Sequence, residues 1–222
     1  MFLEVMKTLL KSLVLPHLDY CSQLWFPCLS GPEILKLEEI QKTFTKRVKG
    51  YYGLPYWTRI MNLGLRSVER RMERYRCIYI HKILIQDIPN CGIKTDVRNE
   101  RIGRTLVVPP VKGGYKAVQT LKDRSFGVEG PRLYNSLPRC LRNFAGTKDR
   151  FKVLLDLFLR DVPDQPNRPY DYAGAQKKEG MPSNLICDWT RKLSSIDWTP
   201  EEGRFTFSGK DCYGVTYQND GF

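Results

Sequence analysis

The chain is 222 residues long, with 41% hydrophobic and 27% charged residues and a formal net charge of +12. That length suits one domain or two small ones with a core that needs no metal or disulfide staples, and the composition excludes a globally disordered chain. No run approaches the roughly 20 apolar residues of a membrane-spanning helix, so no membrane partner is expected.

The elements are read from periodicity and stop signals. Leu3, Met6, Leu10, Leu13 and Val14 repeat at helical spacing and predict a helix over 2–15, stopped or kinked by Pro16. His17 to Trp25 resumes it with Leu18, Cys21, Leu24 and Trp25 inward, and Pro27 and Ser30-Gly31-Pro32 mark a turn. The clearest helix spans 32–49. Ser30 or Gly31 caps it, Glu33 favours its positive end, and Gly50 ends it. Ile34, Leu37, Ile40, Phe44 and Val48 form its apolar stripe, which leaves Lys42, Lys46 and Lys49 on another face. An aromatic turn over residues 51–56 leads to a short helix at Thr58–Leu63. Ser67 then caps a long helix to about Gln86 with Val68, Met72, Tyr75, Tyr79 and Ile83 buried. Residues 91–122 read as irregular, with Val107–Val111 as a short extended segment and Gly113-Gly114 as a loop. Ser125–Leu133 is a helix despite Gly127, Gly130 and Pro131. Thr147 caps a last helix that buries Phe151, Leu154, Leu155, Phe158 and Leu159 and closes at Pro163. Residues 163–182 read as a linker. Residues 183–222, rich in aromatics but poor in aliphatics, read as a poorly packed tail with a small β hairpin around Ser208-Gly209. The expected class is mainly α: a helical bundle over 1–88, a basic irregular segment plus helix over 89–162, the linker, and the tail.

The charge is uneven. Residues 42–82 hold 11 basic and 2 acidic side chains and residues 83–146 hold 11 and 5, whereas residues 1–41 hold 3 and 5 and residues 147–222 hold 11 and 12. A concentrated basic region attracts phosphate and releases counterions on binding, so nucleic acid is the expected partner. Seven cysteines without a Cys-x-x-Cys suit free thiols in a reducing compartment, and a nuclear or cytoplasmic location follows by default. His17 and Cys21 share a helix face, but no second ligand pair accompanies them, so no metal site is expected. Two histidines, no Asp-Asp pair, no phosphate loop and no nucleophile motif leave no catalytic residues and no cofactor to assign.

Lys11-Ser12-Leu13-Val14-Leu15-Pro16-His17-Leu18-Asp19-Tyr20 with Gln23-Leu24-Trp25, then Leu37-Glu38-Glu39-Ile40-Gln41-Lys42, then Ser67-Val68-Glu69-Arg70-Arg71 and His81-Lys82-Ile83-Leu84, follow one another in a specific order. Arg124-Ser125-Phe126, Asn135-Ser136-Leu137-Pro138 and Phe151-Lys152 come later. In order and spacing these blocks resemble the region after the palm in reverse transcriptases of non-LTR (LINE-type) retrotransposons, over roughly residues 9–160 and more weakly near Ser183–Trp189. Tyr134 departs from the pattern, which usually has Trp there. The resemblance implies a thumb-like helical bundle plus C-terminal extension that lies along a template–primer duplex or RNA–DNA hybrid, with the catalytic palm and fingers elsewhere in the polyprotein. It implies no enzyme activity for this chain alone. A thumb grips phosphates without reading bases, and Lys42, Lys46 and Lys49 with Arg70, Arg71 and Arg74 are the candidates for that grip. The alternative is a protein-interaction module, or an inactive remnant, that uses the exposed N-terminal amphipathic helix.

Overall fold

A computed structural model describes residues 2–96, 103–162, 164, 197–201, 204–210 and 216–218. The described chain is mainly α-helical with short antiparallel strands, the class the periodicity predicts. It forms two compact units, one of residues up to Tyr75 with Asp164, the other from Arg76 onward. The division falls inside a helix, whereas the sequence places its boundary at residue 88.

In the first unit the N-terminal helix is not continuous. α1 (Phe2–Leu9) runs into a π turn over Leu10–Val14 and then α2 (Leu15–Asp19). The Leu15 N–H reaches back five residues to the Leu10 carbonyl. A proline ring at position 16 clashes with the carbonyl four residues earlier and offers no N–H, and the wider turn relieves both. The extra residue shifts the phase of the helix, so Leu10, Leu15 and Leu18 are buried and Leu13, expected inward, is 60% exposed. Leu24 on α3 (Ser22–Trp25) is likewise exposed, while Phe26 in the following 3-10 turn is buried.

α4 (Gly31–Lys46) starts as the sequence predicts. The Glu33 carboxylate accepts from the Ser30 N–H at 2.7 Å and from its hydroxyl at 2.6 Å. Its buried face differs from the apolar stripe. Ile34, Glu38, Gln41 and Thr45 point inward and Ile40 is 45% exposed. Three polar residues hold this face because α5 (Tyr56–Asn62) and the start of α6 (Val68–Leu84) present polar partners to it. Leu10, Leu15, Leu18, Phe26, Ile34, Val68 and Met72 form the apolar core of this unit.

The second unit packs the later part of α6 with α8 (Phe126–Asn135) and α10 (Lys148–Asp161) around Ile80, Leu133, Tyr134, Phe151, Leu155 and Phe158. His81 is fully buried, stacked on Phe151 at 3.9 Å, with Nε2 at 3.1 Å from the Gly146 carbonyl oxygen. β1 (Thr95–Asp96) pairs antiparallel with β2 (Thr105–Leu106), so the extended segment lies just before Val107. The Asn135 amide completes that ribbon, accepting from the Leu106 N–H and donating to its carbonyl, each at 2.8 Å. The stretch expected to be irregular contains α7 (Lys116–Asp123), and α9 (Arg139–Asn143) follows α8. Tyr134 is fully buried against Phe151, with its hydroxyl 3.4 Å from the Arg142 carbonyl.

β3 (Asp197–Glu201), β4 (Arg204–Lys210) and β5 (Thr216–Gln218) form an antiparallel sheet in that order. Ser208 and Gly209 lie within β4, paired with Gln218 and Tyr217, so they are not the hairpin turn the sequence suggests. The expected linker, apart from Asp164, and the weaker resemblance near Ser183–Trp189 lie outside the described residues.

Candidate nucleic-acid interface

The basic edge is built at the end of α4. The α-helix stops at Lys46; the Arg47 N–H bonds the Phe44 carbonyl at 3.0 Å, and the Val48 N–H reaches that of Thr45 at 3.4 Å. Val48 is 3% exposed and anchors this turn, which throws Lys46, Arg47 and Lys49 outward. Gly50 then reverses the chain at a φ of +86°, a conformation that side-chain-bearing residues rarely adopt. Lys42 lies one turn earlier, half exposed, with its ammonium 2.9 Å from the Glu39 carboxylate. A surface pair of this kind contributes roughly 0–1 kcal/mol, so a phosphate can displace Glu39 at little cost.

Arg59 fixes this edge from beneath. It is 2% exposed, and its guanidinium donates to the Leu54 carbonyl at 2.6 Å, to the Lys42 carbonyl at 3.2 Å and to Thr45 Oγ1 at 3.2 Å. Its charge meets the negative end of the α4 dipole, and its hydrogen bonds satisfy a carbonyl of the final turn. Arg59 therefore couples the helix carrying the lysines to the loop that follows them. Nothing in the sequence spacing marks this role.

A second polar cluster holds α4 to the start of α6. Glu38 accepts from the Val68 N–H at 2.9 Å and from the Tyr56 hydroxyl. Gln41 Nε2 donates to the Tyr56 oxygen at 3.0 Å and to the Arg66 carbonyl at 2.9 Å. Burial pushes the Glu38 carboxyl up to about 7, against the opposing pull of the Tyr56 and Val68 hydrogen bonds. Burial and the adjacent Glu38 charge push the Tyr56 phenol upward as well, which keeps it a donor.

The arginines expected on α6 do not join the lysines. Arg70 is 1% exposed, with Nη1 at 3.3 Å from Glu73 and Nε at 3.7 Å from Asp164. A charge buried this deeply needs its protein partners and is not offered to phosphate. Arg71 binds both oxygens of Asp19, to which the Tyr75 hydroxyl also donates at 2.9 Å. Arg74 is half-buried and engaged within the protein. All three arginines are thus engaged within the protein, Arg70 buried and Arg71 and Arg74 partly exposed. Of the six candidate cations, Lys46 and Lys49 are exposed and Lys42 is half exposed, and Arg47 stands exposed beside them.

Among the described residues no group of His, Cys, Asp and Glu side chains is placed to hold a metal ion, and no helix is long and apolar enough to cross a membrane. An open depression of about 560 Å³ beside Leu84, Ile88 and Asn90 offers a single ionisable group, Asp87, already 3.6 Å from Lys82 and 3.4 Å from Lys148. No family model matches the chain, and comparison with curated proteins and with solved structures returns no similar one.

Proposed function

We propose that this chain grips the phosphate backbone of duplex DNA or an RNA–DNA hybrid, as the thumb and C-terminal extension of a LINE-type reverse transcriptase would. The observation that carries the reading is the braced basic edge: Lys46, Arg47 and Lys49 stand exposed on a turn fixed by buried Val48 and Arg59. Cations held on a fixed turn suit phosphates, which repeat along any sequence, and supply affinity without base readout. In such an enzyme the metal-binding carboxylates belong to the palm, so this chain contributes grip and no chemistry of its own. Titrating labelled duplexes of unrelated sequence with the whole chain tests the reading. Similar affinities that fall steeply with salt are expected, and failure to bind any of them contradicts it.

A second reading has its own observation. Val5, Leu9 and Leu13 recur four residues apart and are 50%, 40% and 60% exposed, an apolar stripe open to another protein. A mass that rises with concentration in a chain indifferent to nucleic acid would favour that reading.

A further inference from the structure

Tyr52 is 81% exposed, three residues beyond Lys49. The Tyr51 N–H bonds the Val48 carbonyl at 3.1 Å, the Leu54 N–H bonds the Tyr51 carbonyl at 3.2 Å, and Arg59 holds the Leu54 carbonyl at 2.6 Å. The ring thus projects from a loop pinned on both sides by buried residues, Val48 and Arg59. Three Cα–Cα steps place Lys49 and Tyr52 within about 11 Å of each other. At about 3.4 Å per nucleotide that separation spans a few nucleotides of one strand.

The other exposed tyrosines among the described residues lack this setting. Tyr20 is 77% exposed but follows Asp19, and no Lys or Arg occurs between it and Lys36. Tyr115 is 86% exposed between Lys112 and Lys116, but no residue from Val107 to Ser125 is buried, so no buried side chain anchors its loop.

An exposed aromatic on a fixed loop beside several cations is the composition of a single-strand contact: the ring stacks on a base face and the cations take the adjoining phosphates. A fully paired duplex hides its base faces, so the ring needs an unpaired base. We propose that Tyr52 stacks on an unpaired base at the end of a duplex, with Lys46, Arg47 and Lys49 on the neighbouring phosphates. This rests on the phosphate-binding reading above and names its substrate as a duplex carrying a single-stranded extension.

The test uses the whole chain and two labelled probes. Both are one duplex with an extension of equal length, in one case bearing bases and in the other abasic, so the phosphates are the same. The wild type should bind the base-bearing probe roughly 5- to 100-fold more tightly. Tyr52→Ala should bind both probes with the affinity the wild type shows for the abasic one, and Tyr52→Phe should keep the preference. Equal binding of the two probes by the wild type, or an undiminished preference in Tyr52→Ala, overturns the stacking and leaves phosphate binding standing. If neither probe is bound, the phosphate reading itself fails and the stacking falls with it.

Discussion

Two carboxylates close the N-terminal end of α6. Glu38 accepts from the Val68 N–H, and Asp164 accepts from the Ser67 N–H at 2.8 Å and from its hydroxyl at 2.5 Å, while Ser67 Oγ accepts from the Arg70 N–H at 3.1 Å. Helix starts carry unsatisfied N–H groups and partial positive charge, so these contacts satisfy donors and stabilise the dipole together. Ser67→Ala and Asp164→Ala should each cost about 0.5–2 kcal/mol of stability, read from urea unfolding. Because the two side chains bond each other, the double variant should lose less than the sum. Glu38 gives the protein a pH dependence of definite sign. Its folded value of about 7 lies above the ordinary 4.5, so the folded state favours the protonated form. Its stabilising contribution is complete below about pH 4.5 and is lost as pH rises through about 7. Glu38→Gln, whose amide can still accept from Val68 and donate to the Tyr56 oxygen, should flatten the stability profile across that window. An unchanged slope would show that Glu38 does not titrate there.

At the level of elements, local rules decided where helices begin, and packing decided which way they face. Ser30, Glu33 and Ser67 were legible as starts because capping needs only neighbouring residues, whereas the rotation of α1 and α4 depends on what packs against them. The π turn before Pro16 moves Leu13 outward, and the polar faces of α5 and α6 draw in Glu38 and Gln41 where apolar residues were expected. The quoted sequence blocks also contribute long-range contacts to the fold. Asp19 with Arg71, Glu38 with Val68, and Asn135 with Leu106 each join segments far apart in the chain, so these residues fasten the fold. α8 shows what a helix tolerates. A Cβ on Gly130 would lie 3.0 Å from Ile80 Cδ1 and 3.2 Å from the Phe126 ring, both buried, while one on Gly127 would meet nothing within 4 Å. Gly130→Ala should therefore destabilise, because overpacking costs of about 1–3 kcal/mol exceed the propensity gain. Gly127→Ala should stabilise by a few tenths to about 1 kcal/mol. Thermal unfolding of the pair checks both signs, and a stabilised Gly130→Ala would mean that Ile80 yields space.

For the whole molecule, the net charge of +12 pointed toward nucleic acid but did not say which cations were available. Counting charges along the chain cannot separate Arg70, buried against Glu73, from Lys46, standing in solvent; only burial does. Among the six candidate cations, that distinction leaves the lysines at the end of α4, a part of the first unit. The most direct measurement is the salt dependence of duplex binding by the whole chain and by a Lys42→Gln, Lys46→Gln, Lys49→Gln variant. Each phosphate neutralised contributes about −0.9 to the slope of log affinity against log salt. The variant should stay folded, since none of the three side chains is buried, and should bind all sequences more weakly with a slope shallower by roughly two to three units. A folded variant with unchanged affinity and unchanged slope would contradict the proposed grip and leave these lysines as a solvated face.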